Sequence, residues 1–111
     1  LIDLPLILDW LNRPRSIVDH QQGRPSRTRW RVLAHDADVG TTRVLLEPVT
    51  GRSHQLRVHL QALGHPIVGD RLYAPPEVAD AAPRLLLHAQ RLALFHPATG
   101  TPMVFDSAAP F

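Results

Sequence analysis

The sequence predicts an α+β fold, a mostly antiparallel mixed sheet carrying one main helix. Three observations point there. Thr28–His35 and Thr42–Pro48 alternate their side chains on either side of the turn Asp36–Gly40, the period of two that marks paired strands. Leu56, Leu60 and Leu63 recur at spacings of three and four, which places them on one helix face. Gly51 and Ser53 precede that stretch and Gly64-His65-Pro66 follows it, as start and stop signals should.

The elements follow in order. Leu4–Leu8 is a short apolar run, and Pro5, which cannot donate to a ladder, limits it to an edge strand. Asn12–Pro25 is rich in Pro, Arg and Gly and reads as loop. In Thr28–His35, Trp30, Val32 and Ala34 share one face and Arg29, Arg31 and Leu33 the other. Thr42–Pro48, with Val44 and Leu46 on one side, completes an antiparallel hairpin. Ser53 is a good N-cap for a helix over His54–Leu63, with Leu56, Leu60 and Leu63 as its buried stripe and His54, Arg57 and Gln61 on another face. Gly64 suits the left-handed position past the helix end. Pro75–Pro83 reads as loop or a short helical turn. Leu86–His96, long and mostly apolar, predicts a central strand. Pro97–Gly100 then turns the chain into Met103–Asp106.

A chain of 111 residues suffices for one domain and buries roughly two-thirds of its unfolded surface. It opens on Leu1 without an initiator Met, and Leu1–Leu8 already reads as ordered sequence, so a fragment of a longer protein is expected. No apolar run approaches the roughly 20 residues of a membrane span, and no signal peptide pattern is present. The absence of cysteine excludes disulfides and zinc–thiolate sites and suits a cytoplasmic protein.

The net charge is only +2, yet all 12 basic residues are arginine, the side chain that meets phosphate and carboxylate with a planar fork. Arg13, Arg15, Arg24, Arg27, Arg29 and Arg31 face the single acid Asp19 within residues 13–31, a local excess of five positive charges. That block is a candidate phosphate-facing surface. The helix start is a second basic site. Its free N–H groups favour an anion, and Arg52 and Arg57 stand beside it with His54 and Gln55.

Other chemistries find little support. His54, His59 and His65 are spaced at five and six residues, which does not align ligands on a helix face, so no metal site is expected. His88, in Leu85-Leu86-Leu87-His88-Ala89, reads as a hydrogen-bonded core histidine, and His96 as a turn residue. No Gly-x-Ser-x-Gly and no Walker-type phosphate loop occur. Asp70 reads as a turn carboxylate accepting backbone N–H bonds, with a catalytic acid as the alternative.

Thr50-Gly51-Arg52-Ser53-His54-Gln55-Leu56-Arg57-Val58-His59-Leu60, followed by Leu63-Gly64-His65-Pro66-Ile67-Val68-Gly69-Asp70-Arg71-Leu72-Tyr73, resembles the C-terminal signature of RluA-family pseudouridine synthases. Leu85-Leu86-Leu87-His88-Ala89 and His96-Pro97-Ala98-Thr99-Gly100 continue it in order. Asp3-Leu4-Pro5-Leu6, Asp9-Trp10 and Asn12-Arg13-Pro14 resemble the RluA branch, which modifies ribosomal RNA and transfer RNA. Leu11 departs from that branch, where proline is expected. The resemblance implies that residues 1–111 are the C-terminal portion of one pseudouridine synthase catalytic domain. It also implies a cytoplasmic enzyme, monomeric at full length, that isomerises a flipped-out uridine without metal or organic cofactor. The family's His-Arg-Leu-Asp motif, which holds the catalytic aspartate, has no counterpart here, nor has its active-site tyrosine. The motif arginine carries over to Arg57 and is implied to pair with that aspartate. Arg52, His54, Gln55, Arg13, Arg15, Arg27 and Arg29 are the expected RNA contacts. The competing readings are a non-catalytic RNA-binding module, which the basic block would serve by itself, and a metal-dependent hydrolase using the histidines.

Overall fold

In the computed structural model, residues 1–95 and 97–111 are described, with only the backbone of Leu92–Phe95 and of Phe105. The elements are β1 (Ile2–Asp3), β2 (Leu6–Leu8), β3 (Ser16–Val18), β4 (Arg27–Asp36), β5 (Thr41–Pro48), α1 (Gln55–Ala62), α2 (Pro76–Ala79), β6 (Arg91–Phe95) and β7 (Pro102–Asp106). The strands make three sheets among the described residues: β1-β4-β5, β2-β3 and β6-β7. Every pairing is antiparallel, so the α+β class holds while the sheet is divided.

The divisions have local causes. Pro5 lacks an N–H; β1 ends before Leu4, and the strand within the apolar run Leu4–Leu8 begins only at Leu6. Ile2 pairs with Thr28, whereas Leu6 pairs with Val18 in a different sheet. The segment expected to be loop, Asn12–Pro25, therefore contains β3; three residues, Ser-Ile-Val, are too few to show a periodicity. The β4–β5 hairpin forms as expected, with Trp30 opposite Leu46 and Val32 opposite Val44. A bulge at Leu33 then shifts the register, and Ala34 pairs with Arg43 instead of extending the Trp30–Val32 row.

α1 starts one residue late. Ser53 is exposed, and the N-cap is His54, in the left-handed conformation at φ 54°. Gly64, at φ 85°, occupies the left-handed position past the helix end as expected. The buried positions of α1 are Gln55, Val58 and His59. Leu56 and Leu60 are half-buried and Leu63 is exposed, so the leucine stripe is not the innermost face. The helix turns a polar edge inward because its receiving surface, near Thr28, is itself polar.

Leu6, Val58 and Tyr73 form the apolar core, with Val18 and Leu72 packed against it. Of the expected central strand Leu86–His96, the described residues show β6, which among them pairs with β7 alone. Residues 85–90 run on without strand pairing, tied by Leu86 N–H to the Val68 carbonyl at 3.0 Å. His88 is half-buried and bonds to the Ser107 carbonyl at 2.9 Å. The reading of His96 as a turn residue lies outside the described residues.

Candidate active site

The α1 start is built on one buried amide. Gln55 is 3 % exposed. Its Oε1 accepts from the Thr50 hydroxyl at 2.7 Å and the Arg52 N–H at 3.0 Å. Its Nε2 donates to the Arg27 carbonyl at 2.8 Å and the Thr28 hydroxyl at 3.0 Å. All four bonds of the amide are made inside the chain, so Gln55 joins helix to sheet and has no open atom for RNA. The network continues through His59, fully buried. Its Nε2 lies 2.9 Å from the Leu4 carbonyl and its Nδ1 2.8 Å from the Thr28 hydroxyl. A carbonyl only accepts, so Nε2 carries the hydrogen and Thr28 donates to Nδ1. Among the described residues no buried side-chain nitrogen or oxygen lacks a partner.

On the next face of α1, Arg57 Nε and Nη2 bind Asp70 Oδ2 and Oδ1 at 3.0 and 2.6 Å. Asp70 is fully buried, the Arg57 side chain 17 % exposed. Oδ1 also accepts the N–H groups of Leu72 and Tyr73 at 3.1 and 3.2 Å. Asp70 is thus the turn carboxylate expected from sequence and also an ion-pair partner that sequence reading missed. Only its position one residue past Gly69, in the motif that also holds Tyr73, hinted at it. Burial pushes the Asp70 carboxyl up, and this is the largest single influence. The Arg57 guanidinium and the two N–H groups together outweigh it and hold the carboxyl below its ordinary value. The bond to Asp70 raises the Arg57 guanidinium further above its usual value.

Tyr73 closes the site. Its ring lies 5.2 Å from the Arg57 guanidinium and meets His54 edge-on at 5.5 Å. Its hydroxyl accepts the Ser16 N–H at 2.8 Å and lies 2.7 Å from His54 Nδ1. Both needs are met when the hydroxyl accepts from Ser16 and donates to Nδ1, which leaves the His54 hydrogen on Nε2. Burial, then the charge of Arg57, lowers the His54 pKa, which favours that neutral ring. Burial raises the Tyr73 pKa, keeping the phenol protonated. A non-glycine residue at positive φ costs of order 1–3 kcal/mol and clusters at functional sites. His54 is the one such residue described, and it presents its ring to this cluster.

The expected RNA contacts separate into groups. Arg13 stacks on Trp10 at 3.9 Å, and Arg15 is exposed beside Ser16. Arg27 pairs with Asp3 at 3.4 Å, and Arg29 lies opposite Glu47 in the hairpin. Arg52 donates to the Pro25 carbonyl at 3.3 and 3.1 Å. Arg24 and Arg52 line one open groove of about 520 Å³ with Leu6, Ser16 and Gly51; Arg57 and Asp70 do not. No group of metal-ligating side chains is found among the described residues.

The fold is one of antiparallel strands around one main helix, with arginines along its surface and a buried carboxylate, Asp70, held by Arg57 of that helix. A family model, RNA pseudouridylate synthase, matches residues 2–62, and the chain belongs to that family. It is 57 % identical over 111 residues to the dual-specificity RNA pseudouridine synthase RluA of Escherichia coli K12, covering all of this chain and 50 % of the relative. The protein of that name from Yersinia pestis is 56 % identical, with 100 % and 53 % covered. The solved structure of human RNA pseudouridylate synthase domain containing 1 superposes with a TM-score of 0.80 at 34 % identity, over 99 % of this chain and 48 % of that one. The chain spans about half the length of the curated relatives it matches.

Proposed function

We propose that the chain is the C-terminal portion of an enzyme that isomerises uridine to pseudouridine in ribosomal RNA and transfer RNA. The 57 % identity along the whole chain to an enzyme named for dual RNA specificity carries this reading. The isomerisation breaks the bond from ribose C1′ to uracil N1 and makes one from C1′ to C5, with the C5 proton ending on N1. Atoms balance without a co-reactant. A catalytic aspartate supplied by the rest of the polypeptide starts the reaction, and Arg57 keeps that carboxylate ionised and aimed.

Arg13, Arg15, Arg27, Arg29 and Arg52 hold RNA phosphates, while His54 offers Nε2–H to the RNA from the helix start. The enzyme works as a cytoplasmic monomer. Among the described residues no helix is long and apolar enough to cross a membrane.

The test uses full-length protein on ribosomal and transfer RNA with chemical detection of pseudouridine. The wild type forms it, Arg57→Ala loses most of the rate while still binding RNA, and the 111-residue chain alone forms none. Turnover by that chain, or full rate in Arg57→Ala, overturns the assignment. Paired neutralisation of Arg13 with Arg15, and of Arg27 with Arg29, flattens the salt dependence of binding by roughly 0.7–0.9 in log–log slope per lost contact. RNA binding with no turnover in the wild type would leave a non-catalytic RNA-binding module.

A further inference from the structure

We infer that Asp70 is a positioning residue, a buried clamp that sets the aim of Arg57 without touching substrate; this rests on the isomerase reading above. A guanidinium is a planar fork with more than one edge. Asp70 takes the Nε–Nη2 edge in two bonds, at 3.0 and 2.6 Å. The end-on edge, Nη1 with the second hydrogen of Nη2, has no partner among the described residues. That edge has the geometry to receive a second carboxylate in bidentate fashion.

Asp70 cannot be that second, reacting carboxylate. It is fully buried, and Oδ1 is already shared among Arg57, Leu72 N–H and Tyr73 N–H.

The clamp is itself fixed on both sides. Gly69 precedes Asp70 at φ 82°, and a Cβ there would collide with the Arg84 carbonyl. The Gly69 N–H donates to Val78 at 3.0 Å and the Asp70 N–H to Ile67 at 3.1 Å. Opposite, the Tyr73 ring flanks the guanidinium and is pinned through its hydroxyl by Ser16 and His54. The contrast with the surface pairs is plain: Arg71–Asp80, at 3.8 Å, and Arg91–Asp106 are exposed on both partners. Among the described residues, only Arg57 and Asp70 pair a fully buried carboxylate with an arginine that keeps one free edge.

The experiment is a double-mutant cycle in the full-length enzyme, with Asp70→Asn, Arg57→Ala and the pair. Single-turnover pseudouridine formation and RNA affinity are measured below the lowest melting temperature of the set. Asp70→Asn is expected to slow the chemical step about 10²-fold, as a misplacement near 1 Å does, with RNA affinity unchanged. In the Arg57→Ala background the same substitution should cost nothing more. An equal cost in both backgrounds makes Asp70 merely structural, and full rate in Asp70→Asn removes the clamp altogether.

If Asp70→Asn does not fold, the wild type decides through the ¹⁵N resonance of Arg57 Nε–H. A slowly exchanging signal with hindered guanidinium rotation supports the clamp, and free rotation overturns it. A wild type that forms no pseudouridine ends the isomerase reading, and the same resonance then judges the Asp70–Arg57 clamp by itself.

Discussion

At the joint between α1 and the strands, Ser26, Thr28, Gln55, His59 and Asp70 are buried, while along the outer β4–β5 hairpin Trp30, Val32, Leu33 and Leu45 are exposed. The joint hides polar groups and the hairpin shows apolar ones, the reverse of the usual distribution. Burying a polar group costs free energy unless its bonds are remade, and at the joint each described one is remade. The joint therefore gains little from being polar and much from being directional. Hydrogen bonds fix where α1 sits, and with it the Arg57 guanidinium. The hairpin carries the face on which α1 rests past the end of the helix, and there its apolar side chains are exposed among the described residues.

Substitutions can break this contrast, and urea denaturation of the 111-residue chain reads each one. The largest effect belongs to Asp70→Ala, which strands a partly buried guanidinium. Breaking one side of a buried pair costs about 3–5 kcal/mol, and a loss under 1 kcal/mol would mean that water replaces the carboxylate. His59→Ala comes next. It takes the donor from the Leu4 carbonyl, at about 1–3 kcal/mol, while the Thr28 hydroxyl loses its acceptor but still accepts from Gln55. A variant as stable as the wild type would show that the network adjusts without it.

Acid sharpens the contrast further. The folded His54 has a lowered pKa, so the unfolded chain, near the ordinary value of 6.5, binds more protons. Stability then falls as pH drops below about 6.5, and His54→Gln should remove that stage. The Asp70 carboxyl is held below its ordinary value of 3.8. Its contribution is present above that value and is lost as pH falls through the lowered one, a stage absent in Asp70→Asn. The smallest effect is that of Trp30→Ser on the open hairpin, within about 0.5 kcal/mol. A loss above 2 kcal/mol would place Trp30 in a packed core and close the comparison.

What was legible in the sequence followed period and punctuation. The β4–β5 hairpin and α1 were long enough to show their repeats, and Gly64 marked the helix end. β3 was too short for any repeat, and the bulge at Leu33 leaves no trace in composition. Leu86–His96 read as a central strand because it is apolar, but hydropathy cannot tell a paired strand from an extended segment held by a few bonds. Arg57 stands out in the sequence through its motif, and the structure gives it Asp70 as partner. Asp70 was named, yet its partner lies 13 residues away, and only the fold shows which carboxylate meets which arginine. Gln55 looked like a substrate ligand because it is polar beside a helix start; its burial is a tertiary fact.

The bond from His59 to Leu4 spans 55 residues, and that from Thr28 to His59 spans 31. A ribosome releases Leu4 and Thr28 well before His59. The early strands therefore emerge with their polar groups bonded to water, and only the arrival of α1 lets them exchange those bonds for one another. Until then the nascent chain has strands without the helix that carries Arg57, and Asp70 and Tyr73, which hold its guanidinium, follow the helix in the chain and are made later still.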